Sequence, residues 1–549
     1  MTIQATNRSD ITYVIALLLL SCIFFFHGIG TYSLKEPDEG RYAEIPREMV
    51  ELHDYVVPHL NYARYFEKPP LFYWATALSY KIFGTNEWSF RLPNALSALI
   101  CVMALYFGAR RWFGSDVAFL SSVILMSSFG FFAMARIVTL DMFFSLWLFL
   151  SVLCFYGYYR EQKPLFVYLF FVAMGLSTLT KGPVSIILVG TTIFIFLLSE
   201  KNLSFLKEMK WIRGLAIYLI VTVPWIVAIS LREKEFLYFF VVDQNILRFL
   251  TTKHKRTGSL FYFFPVLFGG MLPWSLFIPR SFVELWNKRE LRLFLIWTMV
   301  VFGFFSISKS KLPPYILPVF PAISLVLGRF FHEKWKTRRP MPEIIAYILL
   351  FATLSSSALL YGNTVFTSYV GRISGEATGI MSELRGFSVG LSAVSAIAVV
   401  FLLLRRFNAF SFLFPLLTLL SGAIVIMLML NSGTVDKLNT TKGLSIIVNS
   451  MKPAPAHIVN YLGFDETLPF YTGQKVLVAG YKGELEMGAA YEDSKTTFIT
   501  ETDFLRLLSS GTPIVAILKE KKLGRLRDIA GDTMKVIECR AKRCLVANY

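Results

Sequence analysis

Apolar residues come in blocks of bilayer-crossing length along the first 430 residues, starting with Ile11–Ile29, while the chain from about Asn431 onward is mixed and polar. About thirteen blocks read as helices, near residues 11–30, 91–109, 116–134, 141–158, 165–180, 183–199, 212–231, 262–279, 291–307, 313–330, 342–361, 387–404 and 409–430. The pattern predicts a polytopic α-helical membrane part over 1–430 and a small soluble α/β domain over 431–549. In that tail Val476-Leu477-Val478, Phe498-Ile499 and Ile514 to Leu518 read as strands, with Glu501 to Leu508 and Leu523 to Ile529 as helices.

Basic residues orient the blocks. Arg110-Arg111, Arg160 with Lys163, Lys201 to Arg213, Arg280 to Arg292, Arg329 to Arg339 and Arg405-Arg406 all fall on one side, which the positive-inside rule makes cytoplasmic, together with the N-terminus. The loops 31–90, 135–140, 180–182, 232–261, 308–312 and 362–386, and the tail, then lie on the outer face. No small-residue cleavage site follows the first block, so it is expected to remain as an anchor.

Composition agrees with the pattern: 55% of the 549 residues are hydrophobic, with 52 Phe, and mean hydropathy is +0.55. A net charge of +18 exceeds what solubility asks for and points to a membrane surface or an anionic lipid, not to nucleic acid. Cys22, Cys101 and Cys154 sit inside apolar blocks and read as small hydrophobes. Cys539 and Cys544 lie on the outer side, where a disulfide is favoured over a metal pair.

The densest charge lies in the first outer loop. Asp38 follows Pro37 at a natural helix start, and Arg41, Tyr42, Ile45, Met49 and Leu52 recur behind it at helical spacing, as for an amphipathic helix on the membrane. Asp38 and Arg41, one turn apart, would face one pocket; an ordinary N-terminal ion pair is the competing reading. Next come Arg64, Tyr65, Glu67 and Lys68 before Pro69-Pro70, then a second interfacial helix over Leu71 to Tyr80. Lys68 and Arg64 are placed to meet a lipid phosphate or, alternatively, to snorkel. Asp141 stands at an outer helix start with no lysine beside it in sequence. Lys309, Lys311 and Pro313-Pro314 break a span at the same face, the lysines serving either as interfacial anchors or in the site.

These residues carry a resemblance. The run from Glu36 to Met49, Val57-Pro58, Tyr65 to Leu71 with Tyr73-Trp74, Asp141, Thr180 to Pro183, Gly269-Gly270 with Pro273-Trp274, and Lys311 to Pro318 are similar to the bacterial aminoarabinose transferases of lipid A modification. These belong with the protein O-mannosyltransferases in the GT-C class of membrane glycosyltransferases, and the match spans the whole membrane part. Gly40 departs from the family's more usual threonine, which bears on sugar specificity.

The resemblance implies a donor of 4-amino-4-deoxy-L-arabinose on undecaprenyl phosphate, a lipid A phosphate acceptor at the outer face of the bacterial inner membrane, inversion at the anomeric carbon, and resistance to cationic antimicrobial peptides. It assigns Asp38 and Asp141 as essential acids, Lys68 and Tyr315 to the donor phosphate, and Arg41, Tyr42 and Tyr65 to the same cavity. It also implies a divalent metal, zinc or similar, at Glu67 and His254. Independently of family, the leaving group is a phosphate monoester, so cations must stabilise the developing charge, and Lys68, Arg41, Lys181 and Arg256 are available. A hydroxyl acceptor would need Asp38 as base, whereas an ionised phosphate would leave it to orient substrate; the residues leave both roles open. Two other functions compete: transfer to protein or another envelope glycan by the same fold, and transport of the lipid-linked sugar. A transporter should carry mid-span charges in repeated halves; here the charges gather at one face. The tail has no phosphate loop and is expected to cap the site or guide the acceptor.

Overall fold

The computed structural model describes residues 8–247, 258–337, 439–540 and 542–549, and Phe414, Pro415, Leu417, Thr418, Ser421 and Gly422 between them. The expected spans at 342–361 and 387–404, most of that at 409–430, and the loop 362–386 lie outside the described residues. The first expected spans form helices: α1 (Arg8–Ser21), which runs on as a π-helical turn to Phe26; after α2 (Asp38–Glu51) and α3 (Leu71–Phe83), α4 (Glu87–Phe113); then the α5 (Ser115–Ser127) and α6 (Phe129–Ala135) pair, α7 (Leu140–Glu161), α8 (Pro164–Lys181), α9 (Val184–Ser199) and α10 (Trp211–Arg232). Two further long helical segments follow, Arg289–Ile307 and Pro313–Lys336. Among the described residues seven helices are long and apolar enough to cross a membrane, or up to nine if each bent pair is one span.

The segment expected as one span over 262–279 is instead a bent pair, Phe263–Gly270 and Ser275–Leu285, turned by 116°. Pro273 lacks the N–H a continuous helix needs. The turn is also held from outside: the Leu272 carbonyl accepts from Phe129 N at 3.0 Å, at the 67° break between α5 and α6. At this crossing a Cβ on Gly130 would lie 3.0 Å from the Gly270 Cα. Apolar periodicity predicts burial but not such a contact.

Charges that the sequence assigns to one face do meet at one end of the bundle. Arg110 pairs with Asp10 at 2.8 Å, Arg111 and Lys163 with Glu161, Arg292 with Glu200 at 2.6 Å and Lys334 with Glu284 at 2.6 Å. The opposite end carries α2, the β1 (His59–Leu60) and β2 (Ala63–Arg64) hairpin, α3 and the C-terminal domain.

That domain holds a six-stranded sheet in the order β5-β4-β3-β6-β8-β7, with strands His457–Tyr461 (β3), Leu477–Ala479 (β4), Phe498–Ile499 (β5), Ile514–Lys519 (β6), Lys535–Arg540 (β7) and Arg543–Ala547 (β8). The β3–β6 strands are parallel to one another, and β8 and β7 continue the sheet antiparallel. The expected strands and both helices are present. Strands β3, β7 and β8 are additional to those the apolar runs predict, because β3 interrupts its apolar residues with Asn460 and β7 is an exposed edge. Cys539 and Cys544 face each other across that hairpin and are disulfide-bonded.

α2 departs from the expectation of a helix lying on the membrane surface: every residue from Glu39 to Met49 is buried. It is packed between α3 and the C-terminal domain's helix Thr467–Thr472. The join is polar and specific. Asn61 exchanges two hydrogen bonds with the Val476 backbone at 2.7 and 2.9 Å, Lys442 reaches Glu87 at 2.5 Å, and the Glu36 carboxylate accepts from the backbone N–H groups of Glu466 and Thr467 at 2.9 and 2.8 Å.

Gly40 makes this closeness possible, since a Cβ there would lie 2.6 Å from Thr467 N and 2.8 Å from the Glu466 carbonyl carbon. The clash is with backbone, so no side-chain rotation relieves it. Gly40→Val is therefore expected to destabilise the docked domain by about 1–3 kcal/mol. Thermal unfolding of the purified protein checks this, with faster proteolysis after residue 439 as the accompanying sign.

Candidate functional site

Three elements converge at the capped end. α2 begins at Asp38, whose half-exposed carboxylate accepts from Arg41 Nη1 at 3.0 Å, the i,i+3 pair expected of a first helical turn. Arg41 is 4% exposed and meets two more carboxylates from the C-terminal domain, Glu484 at 2.7 Å from Nε and Glu466 at 3.5 Å from Nη2. Burial opposes its charge, but the Tyr65 hydroxyl and these carboxylates outweigh burial and hold the guanidinium firmly protonated. Arg41 thus joins the two parts of the molecule.

Tyr42 is buried behind it, stacked on Tyr73 at 6.1 Å between ring centres and edge-on to Phe72. Burial pushes its hydroxyl far above the usual tyrosine range; Arg41 opposes this, and the charges of Asp38, Asp141 and Glu67 reinforce it. Tyr42 therefore stays a neutral donor within electrostatic reach of all three carboxylates. Tyr65 and Tyr73 are buried alongside, and both hydroxyls also feel Glu67 and Glu484. The Tyr73 hydroxyl has no hydrogen-bond partner among the described residues.

The second element is the α7–α8 hairpin. Asp141 lies in the first turn of α7 and Lys181 in the last turn of α8, so antiparallel packing sets them side by side, with Nζ 2.5 Å from Oδ1. Each charge sits where its helix dipole favours it. The lysine missing beside Asp141 in sequence comes from the next helix. Its ammonium also lies 4.5 Å from the centre of the Tyr315 ring.

Third, the stretch 308–315 brings Tyr315 under Lys181. Lys311 is buried, and its ammonium donates to the carbonyls of Phe305, Ser306 and Ser308. It caps the C-terminus of helix Arg292–Ile307, a structural role.

Lys68, Lys181 and Tyr315 line one cavity of about 430 Å³, with Gln244, Asn245, Ser308 and Ser310. Its wall residues Ile187 and Phe304 also line an apolar groove of about 800 Å³ between α9 and helix Arg292–Ile307, which extends to Ser199 and Arg292 at the other end of the bundle. Lys68 donates to its neighbour's carbonyl, Glu67 O, at 2.9 Å.

Arg256 and His254 lie outside the described residues. Among the described residues no group of three or more His, Cys, Asp and Glu side chains could hold a metal ion. The implied metal pair of Glu67 and His254 thus gains no further ligand there. Sequence reasoning missed Glu466, Glu484, Gln244 and Asn245. Glu484 carried no local signal, since its partner Arg41 is 443 residues away.

Glu466 makes the join sensitive to pH. Burial and then the adjacent Glu36 raise its carboxyl well above the usual range. A carboxyl raised on folding stabilises the folded state below its unfolded pKa, and that contribution is lost as pH rises through the folded value. The melting temperature is expected to fall as pH rises above the ordinary carboxylate range, more steeply in the wild type than in Glu466→Gln. Parallel pH profiles for the two proteins would contradict this.

The family model described as dolichyl-phosphate-mannose-protein mannosyltransferase matches residues 67–227, and that described as aminoarabinose transferase C-terminal domain matches residues 447–548. An undecaprenyl phosphate-α-4-amino-4-deoxy-L-arabinose arabinosyl transferase from Erwinia tasmaniensis is 28% identical over 517 residues, 90% of this chain and 91% of that protein. Its counterpart from Photorhabdus laumondii is 30% identical over 376 residues, 66% of this chain and 67% of that one. The crystal structure of ArnT from Cupriavidus metallidurans bound to undecaprenyl phosphate superposes with a TM-score of 0.84 at 28% identity, covering 99% of this chain and 98% of that one. An archaeal oligosaccharyltransferase, AglB from Archaeoglobus fulgidus, shares the fold at a TM-score of 0.53 and 10% identity, covering 94% of this chain and 70% of that one.

Proposed function

The chain belongs to the undecaprenyl phosphate-α-4-amino-4-deoxy-L-arabinose arabinosyl transferase family, and we propose that it moves that aminopentose from undecaprenyl phosphate to a lipid A phosphate. It is a multi-pass membrane glycosyltransferase of the GT-C fold. The observation that carries the reading is the cationic cavity of Lys68, Lys181 and Tyr315 continuing into an apolar groove past Ile187 and Phe304. A phosphate with a long isoprenoid tail has this shape and polarity.

With the donor phosphate in that cavity, the sugar faces Asp38, Asp141 and Tyr42. The C1–O bond to the donor phosphate breaks while an oxygen of the acceptor phosphate bonds to C1 from the opposite side, inverting the centre. Undecaprenyl phosphate leaves with the bonding pair, and Lys68 and Lys181 stabilise the charge it gains. An ionised acceptor has no proton to lose, so Asp38 and Asp141 orient the reactants and recognise the sugar's ammonium. Glu67 and His254, the latter outside the described residues, would be ligands of the implied metal, and no step runs through it.

The basic end of the bundle faces the cytoplasm in this reading, and the site and the soluble domain, taken as 431–549, face the periplasm. The match of residues 67–227 to the mannosyltransferase family supports a second reading, transfer to a protein hydroxyl, in which Asp38 is the base. Mass spectrometry of lipid A decides between them, using a host lacking its own transferase but supplying the donor. The expected result is an aminopentose on a lipid A phosphate only when this gene is present. Unmodified lipid A with a newly glycosylated envelope protein would favour the second reading.

A further inference from the structure

Asp38 and Asp141 stand on separate helices, and one buried node governs both. Glu39, next to Asp38, is 2% exposed, and Arg91, at the start of α4, is fully buried. They form a two-pronged pair, Nε to Oε1 and Nη2 to Oε2, both 2.9 Å. The remaining donors of Arg91 go to carbonyls at the exit of the first span: Nη1 to Ile29 and Tyr32, each at 2.7 Å, and Nη2 to Ser33 at 2.9 Å. The Tyr32 ring lies 3.8 Å from its guanidinium carbon.

Glu39 is likewise saturated. Beyond Arg91 it accepts from Lys35 N at 3.0 Å, before α2, and from Val138 N at 2.9 Å, three residues before Asp141. One turn along α4 from Arg91, Asn94 donates to the carbonyls of Ile137 and Thr139, the second at 2.7 Å. The strand of backbone that launches α7 is therefore gripped at three consecutive residues by Glu39 and Asn94.

We infer that Glu39, Arg91 and Asn94 are positioning residues that set the separation of Asp38 and Asp141 for transfer, without touching substrate. A buried pair with every donor and acceptor satisfied holds one geometry, and losing a single partner leaves uncompensated charge. The arrangement is more than a fold requirement in one respect: it joins the two segments that carry the acids, and none of its members lines the cavity of Lys68, Lys181 and Tyr315. A displacement of about 1 Å between reacting groups costs about 100-fold in rate.

The inference rests on the reading of Asp38 and Asp141 given above, and the test separates the two. Full-length protein in liposomes, supplied with lipid-linked donor and lipid A, gives kcat and KM; binding of undecaprenyl phosphate alone reports the cavity. Asn94→Ala, which keeps the Glu39–Arg91 pair, is expected to lower kcat about 10- to 100-fold, with undecaprenyl phosphate affinity within about twofold of wild type. Arg91→Lys, which keeps charge but loses the fork, should do the same more strongly. Combining Asn94→Ala with Asp141→Asn should lower activity no further than Asp141→Asn alone.

Unchanged kcat in Asn94→Ala would overturn the inference. So would equal losses of turnover, affinity and melting temperature, or additive losses in the double variant. If Asp38→Asn and Asp141→Asn keep full activity, the site reading itself fails, whatever the other variants do.

Discussion

Lys181→Met is expected to reduce aminopentose transfer about 100- to 1000-fold, the range found when one preorganised group stabilising developing charge is removed. Lys181 is the point where the acidic half of the site touches the half proposed to bind phosphate, 2.5 Å from Asp141 and over the Tyr315 ring. In the proposed reading its charge is shared: without donor it neutralises Asp141, and with donor bound it would face the phosphate in the cavity it lines. Methionine keeps the length and the apolar stem but leaves Asp141 without this partner and the leaving phosphate without this cation. Both kcat and donor affinity should fall. Assays with and without added salt check this, since screening cannot replace a largely buried charge. Transfer within about threefold of wild type would remove Lys181 from the mechanism.

Asp38→Asn is expected to lower kcat about 100-fold or more while leaving donor binding and thermal stability almost unchanged. The contrast follows from exposure and partners. The Asp38 side chain is 47% exposed, and its ion pair is with an arginine that two other carboxylates already hold. An exposed pair contributes little to stability. Asp38 is not among the residues lining the cavity of Lys68, Lys181 and Tyr315. Its charge reaches the Tyr42 hydroxyl together with that of Asp141, the groups between which the sugar lies in the proposed reading. Undecaprenyl phosphate binding and a melting curve on the same sample separate this outcome from misfolding.

Much of the site was legible because it lies in short range. The Asp38–Arg41 pair needs only a helical turn, and Pro37 announces where that turn begins. Asp141 at a helix start and Lys181 at a helix end follow from span boundaries, and alternation of basic loops already puts both at one end. The hidden part is long-range. No periodicity in Gly483-Glu484 announces Arg41, and nothing around Arg91 distinguishes a buried clamp from an interfacial anchor. Gly40 showed the same limit, standing out in sequence as a departure from the family pattern and explained only by the backbone of Thr467 lying where a Cβ would go.

The sequence by itself determined that this chain spans a membrane many times, that its charges divide between two ends, that an α/β domain follows the spans, and that acids and cations gather in one loop region. Those properties are sums over neighbours along the chain: hydropathy over a span, helical period, net loop charge. Tertiary structure alone decided that α2 is buried under the C-terminal domain, that the stretch expected as one span over 262–279 is bent back on itself, that Lys181 pairs with Asp141, and that the cationic cavity opens into an apolar groove. Each of these depends on which surfaces meet. Shape, close backbone approach and the saturation of buried charges choose among contacts that hydrophobic pattern leaves equivalent.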